Sequence, residues 1–93
     1  MAAIVARLVI TGRVQGVGFR LWATREARRR GLRGWVRNRV DGSVEALAIG
    51  EPAAIDAFAE ACRRGPGMAH VDDVSRTPAA DDGSRGFDEA PTV

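Results

Sequence analysis

The sequence predicts an α+β sandwich, in which an antiparallel sheet carries two helices on one of its faces. Three observations predict it. Apolar residues recur along the chain at strand, helix, strand, strand, helix and strand spacing in turn. Asp41-Gly42, a strong hairpin signal, separates the two central strand-like runs. The 93 residues, 45% of them hydrophobic, can build one core but not a second.

The first element is IVARLVIT at 4–11, rich in β-branched residues, with Ile4, Ala6, Leu8 and Ile10 on one parity. Residues 19–31 then place Phe19, Trp22, Ala23, Glu26, Ala27 and Arg30 on one helical stripe, and Gly31 supplies a stop. Arg30 is out of place there, so its stem is expected to snorkel at the helix end. In GWVRNRV (34–40) Val36, Asn38 and Val40 face one way, and Trp35, Arg37 and Arg39 the other. The return strand follows at 43–49. Pro52 suits a first helical turn; Ile55, Phe58, Ala59 and Cys62 line the second helix; Gly65-Pro66-Gly67 ends it. Val71 to Thr77 read as a fourth strand, 78–86 as a polar loop, and Ser84 to Ala90 as a short edge strand. Residues 1–93 are thus expected to be one domain, whose last part (78–93) is loop and weak edge strand. Right-handed crossovers and helices on one face make the compact solution a split β-α-β, or ferredoxin-like, βαββαβ sandwich. Strand 3 then lies between strands 1 and 2, which run parallel. The loop after strand 1 and the end of strand 2 open at the same edge, roughly 10 Å apart. Arg20 and Asn38 can therefore face one small pocket.

Composition narrows the function. No apolar run approaches the roughly 18 residues of a membrane helix, and the N-terminus lacks a leader pattern, so a soluble cytoplasmic protein with no membrane partner is expected. One cysteine, Cys62, forms no internal disulfide, and its place in a helical apolar pattern makes it an inert core thiol. All 14 basic side chains are arginine, which excludes lysine chemistry. Ten arginines against one acid, Glu26, fall in residues 1–40, whereas four arginines face eleven acids in 41–93. This split is either two solvated faces or a positive field that draws a small anion to the first loop. A nucleic-acid surface is a third reading, weakened because Trp35 alone offers an aromatic ring for stacking.

The first loop, GRVQGVGFR at 12–20, holds most of the information. Gly12, Gly16 and Gly18 permit positive φ, so the backbone can bend and aim successive N–H groups at one point. Such a nest binds an anion, and it leads into a helix N-terminus, which favours negative charge. Arg20 adds a planar fork that matches two phosphate oxygens. The spacing is no dinucleotide fingerprint, and no Gly-Lys-[Ser/Thr] follows. On the residues alone the loop is equally a phosphate cradle or a tight structural turn. Asn38 is a turn-making strand end or a functional amide. His70 reads as an ordinary strand-end residue. No cluster of His, Cys and carboxylates has metal-ligand spacing.

GRVQGVGFR at 12–20, GWVRN at 34–38 and DGSVE at 41–45, continuing through Gly65-Pro66-Gly67 and Val71-Asp72-Asp73-Val74, resemble the acylphosphatase family. The resemblance covers roughly residues 5–77. It implies a ferredoxin-like sandwich and metal-free, cofactor-free hydrolysis of acyl phosphates to a carboxylate and inorganic phosphate. It further implies that Arg20 and Asn38 are the catalytic pair, and that the backbone of Gln15, Gly16, Val17, Gly18 and Phe19, with Arg20, binds the phosphate. No nucleic-acid or membrane partner is implied, and a monomer is the default. Asp88-Glu89 and Pro91 interrupt the alternating strand usual in the family, which predicts a short last strand. Arg30 stands where the family more often has an aliphatic residue. The alternatives are a non-catalytic anion-binding or regulatory module on the same fold, a segment of a larger carbamoyl-transfer enzyme, and a nucleic-acid binder.

Overall fold

A computed structural model describes residues 3–93. Met1 and Ala2, which the expected domain includes, lie outside the described residues. The elements are β1 (Ile4–Arg13), α1 (Phe19–Arg29), β2 (Arg33–Asn38), β3 (Val44–Gly50), α2 (Pro52–Arg64), β4 (His70–Pro78) and β5 (Phe87–Glu89). The sheet order is β4-β1-β3-β2-β5. The predicted ferredoxin-like sandwich is therefore present, with β3 between β1 and β2. Four strands pair antiparallel, and β5 adds itself in parallel to the free edge of β2, with Gly34 opposite Phe87.

The core lies between the sheet and the two helices. Ala6, Leu8 and Ile10 of β1 have the predicted parity and face the cross-strand residues Ala48, Ala46 and Val44. Against them pack Phe19, Ala23 and Ala27 of α1 and Ile55, Phe58 and Cys62 of α2, all essentially inaccessible. Each large apolar side chain buried this fully contributes about 1.5–3 kcal/mol. On the α1 stripe, Glu26 and Arg30 are tolerated because they pair with each other while Arg29 adds a second contact to Glu26 at 2.5 Å. The hydrogen bond from Arg29 leads in holding the Glu26 carboxyl below its ordinary range; desolvation opposes it, and Arg30 reinforces it. Burial pushes the Cys62 thiol up to about 12, with Glu26 adding and Arg30 opposing, as suits an inert core group.

The first glycine of the loop has a different task from the other two. Gly12 lies within β1, at the step where pairing with β4 slips between Thr11 and Gly12. A Cβ there would stand 2.2 Å from the His70 carbonyl oxygen. The slip turns both Val71 and Val74 toward the core. Gly12 therefore belongs to strand pairing and not to a cradle.

β4 and β5 occupy opposite edges, so the chain between them must cross the sheet. Ala79 N–H donates to the Val5 carbonyl at one side, and Gly34 N–H to the Gly86 carbonyl at the other. On the way, Asp82 accepts from the Trp35 indole N–H at 2.9 Å, while Asp81 and the Ser84 carbonyl both accept from Arg33. This strap closes over the face away from the helices, where Leu47 and Ile49 are buried although no helix covers them. β5 is only three residues long, as Asp88-Glu89 and Pro91 predict. The chain nevertheless stays on β2: Ala90 N–H donates to Val36, and Val93 N–H to Asn38.

Candidate active site

Residues 14–18 join β1 to α1, and this loop bends at two glycines. Gly16 has φ 73° and Gly18 has φ 78°. An added Cβ would touch nothing at either, so the requirement is conformational rather than steric. Gly18 is the N-cap of α1; it offers no side chain to the helix, and no acid stands in the first turn. The first intrahelical bond runs from Trp22 N–H to the Gly18 carbonyl at 3.1 Å. The N–H groups ahead of Trp22 thus have no carbonyl of the helix to meet. The buried ring of Phe19, edge-on to Trp22 at 5.3 Å, fixes this first turn to the core.

Arg20 follows at once. Its side chain is about one-third exposed, and its ionic contact among the described residues is loose: Nε stands 3.8 Å from Glu89 Oε1. Its carbonyl accepts the Thr24 hydroxyl at 2.8 Å, which satisfies that buried side chain and holds the turn. The guanidinium itself is largely unspent.

Asn38 arrives from the sheet. It pairs with Val44 at the last position of β2, and its parity with buried Val36 turns it to the helix side. Its Oδ1 is buried and, among the described residues, accepts no hydrogen bond. An orphaned acceptor costs about 1–3 kcal/mol, and orphans of this kind gather at functional sites. Val14, Gly16, Gly18, Phe19, Arg20, Leu21, Asn38 and Glu89 together line one hollow of about 150 Å³. The sequence-predicted Gly16, Gly18, Phe19, Arg20 and Asn38 therefore meet. Val17 packs against the core beside them, and Gln15 is in the same loop.

Two participants were not legible in the sequence. Gln15 was expected to offer its backbone, yet its side-chain amide is the tether between the two halves of the site. Nε2 donates to the Arg39 carbonyl at 2.7 Å and to the Ser43 carbonyl at 2.9 Å. Both acceptors lie in the turn that follows Asn38, a turn held by the Asp41 carboxylate, which accepts from the Ser43 hydroxyl and N–H. Those two bonds, the hydroxyl first, draw the Asp41 carboxyl below its usual range. Glu89 was expected only as an interruption of the last strand; it lines the hollow. A glutamine two bonds from a hairpin and an acid on a distant edge strand carry no local signal.

Among the described residues no three His, Cys, Asp or Glu side chains stand close enough to share a metal ion. Nor is any helix there long and apolar enough to cross a membrane. The arrangement that is present suits a small tetrahedral anion: main-chain donors at a helix start, a guanidinium fork, and a carboxamide beside them.

The family model described as Acylphosphatase matches residues 6–89. A protein named Acylphosphatase from Nitrobacter hamburgensis is 50% identical and is covered over 100% of both chains. The crystal structure of acylphosphatase from Bacillus subtilis is 42% identical, with a TM-score of 0.90 over 94% of this chain and 98% of that one. A full-length HypF, solved in a phosphate- and nucleotide-bound form, superposes on 97% of this chain with a TM-score of 0.88 and 25% identity. Only 12% of that much longer chain takes part.

Proposed function

This chain belongs to the acylphosphatase family and hydrolyses acyl phosphates to a carboxylate and inorganic phosphate, and we propose that it does so in the hollow between the start of α1 and the end of β2. One observation carries the proposal: an uncapped helix N-terminus, an Arg20 held only by a loose contact to Glu89, and the orphaned Oδ1 of Asn38 border the same small space. The N–H groups of the 15–20 segment and the Arg20 fork hold the non-bridging phosphoryl oxygens. Charge on those oxygens redistributes through a loose transition state, so fixed donors that need no reorientation lower the barrier. The Asn38 amide orients the attacking water in line with the leaving group. Asn38 has no basicity at neutral pH, and none is needed. The water oxygen bonds to phosphorus, the bond from phosphorus to the acyl oxygen breaks, and the carboxylate leaves with that electron pair. One water proton stays on the attacking oxygen, and the other passes to a phosphoryl oxygen, giving dihydrogen phosphate. A carboxylate is a good leaving group and requires no general acid.

The reaction on this reading takes no metal or cofactor, the protein is cytoplasmic, and the chain acts as a one-domain monomer without nucleic-acid or membrane partners. Hydrolysis of benzoyl phosphate in excess chelator tests the chemistry. Wild type turns over, whereas Arg20→Ala and Asn38→Ala fold but lose nearly all activity. A strict need for added divalent metal, or wild-type rates in either variant, contradicts the reading. Phosphate binding without turnover of any acyl phosphate favours a non-catalytic anion-binding module instead.

A further inference from the structure

On the reading above, the phosphoryl group and its water occupy the part of the hollow between the start of α1 and Asn38. The acyl group then extends past the remaining lining side chains. Val14 and Phe19 are buried at 1% exposure and form the wall. Gly16 and Gly18 contribute backbone alone, and Arg20 and Asn38 are engaged with the phosphoryl group on the reading above. Two lining side chains are exposed and unassigned: Leu21 at 49% and Glu89 at 42%. They come from different elements, the first turn of α1 and the end of β5.

We propose that Leu21 and Glu89 form the exit over which the acyl group lies, and that they select acyl phosphates with an apolar, uncharged or cationic acyl group over those bearing a second carboxylate. This rests on the site assigned in the preceding section. Leu21 offers apolar surface to a hydrocarbon or an aromatic ring. Glu89 sets a fixed negative charge beside the exit, 3.8 Å from Arg20 Nε. Arg20 is its ion-pair partner among the described residues, and a bound phosphoryl group takes up that cation's attraction. A carboxylate on the acyl group then meets Glu89 without a counter-ion. Repulsion between two unit charges at this partly exposed rim lowers the rate for the acidic substrate on the order of five- to tenfold, less at high salt.

The test compares kcat/KM for 4-carboxybenzoyl phosphate and 4-methylbenzoyl phosphate, each divided by its uncatalysed rate. The ratio of the two cancels any general change that a variant causes at Arg20. Wild type favours the methyl compound. Glu89→Gln raises the carboxy-to-methyl ratio about fivefold, Leu21→Arg raises it further, and 0.5 M salt brings wild type toward Glu89→Gln. Melting curves verify that both variants are folded. A ratio that is unchanged in folded Glu89→Gln, or a wild type indifferent to the carboxylate, overturns the exit while leaving the site intact. Failure of the wild type on both substrates, or full activity on both in Arg20→Ala, overturns the site and the exit with it.

Discussion

Arg20 and Arg37 lie on opposite sides of the same sheet, and each has a glutamate for a neighbour. On the open side, Glu45 is buried between β1 and β2 and accepts from Arg37 Nε at 2.7 Å and from Arg7 Nε. Arg37 also stacks on the Trp35 ring, 4.3 Å from its centroid. On the helix side, Arg20 has one half-exposed glutamate at 3.8 Å and, among the described residues, no ring stacked on it. The first arrangement spends its cations on structure, since a buried carboxylate needs its donors. The second leaves a guanidinium lining a hollow beside an uncapped helix start. An arginine's role is thus read from what remains unpaired around it, not from its charge.

Several substitutions break or sharpen this contrast. The largest effect is expected on the helix side: Arg20→Ala and Asn38→Ala each lower kcat by about 10²–10³ with little change in melting temperature. Arg20→Lys fails similarly, because a point charge does not replace a planar fork; phosphate affinity equal to wild type in that variant rules out two-oxygen recognition. Next comes the open face. Glu45→Gln lowers stability by about 2 kcal/mol in denaturant titrations, while kcat stays within about twofold for folded protein.

That variant also has a signature in acid. Burial pushes the Glu45 carboxyl up, but the hydrogen bonds from Arg37 and Arg7, with their charges, outweigh it and hold the pKa below the ordinary 4.5. A carboxyl depressed in the folded state contributes stability that is fully present above its unfolded pKa and is lost as pH falls through the folded one. Glu45→Gln therefore narrows the stability gap to wild type below about pH 4.5; a gap independent of pH down to unfolding contradicts the ion-pair account. A smaller effect is expected at the tether. Gln15→Ala frees the loop from the Arg39 and Ser43 carbonyls and raises KM about three- to tenfold with kcat less affected, consistent with two lost hydrogen bonds. The smallest concerns Cys62, which stays unlabelled by thiol reagents in native protein and reacts on unfolding.

Most of the fold was legible because apolar periodicity and the punctuating residues agree. Ile4 to Ile10 alternate, Pro52 opens α2, and Gly31 and Asp41-Gly42 stand where the chain turns. That Arg20 and Asn38 meet was legible because the βαββαβ order brings the end of β1 beside the end of β2; their role as a catalytic pair was implied only by the family resemblance of the surrounding motifs. Other features depend on tertiary contact and leave no local trace. Gly12 looks like its loop companions in sequence, but its φ of 120° serves the β1–β4 slip. The strap through Asp81 and Asp82 reads as a polar loop, since nothing local says that it must cross from one sheet edge to the other. Glu89 reads as a strand breaker until β5 is laid beside β2.

The most direct measurement is a titration of ¹⁵N-labelled protein with inorganic phosphate, followed by amide and side-chain resonances. The account predicts saturable shifts concentrated at the N–H groups of residues 15–20, at Arg20 Nε and at the Asn38 carboxamide. Shifts centred instead on Arg7, Arg37 and Arg39 of the open face, with residues 15–20 unmoved, contradict it.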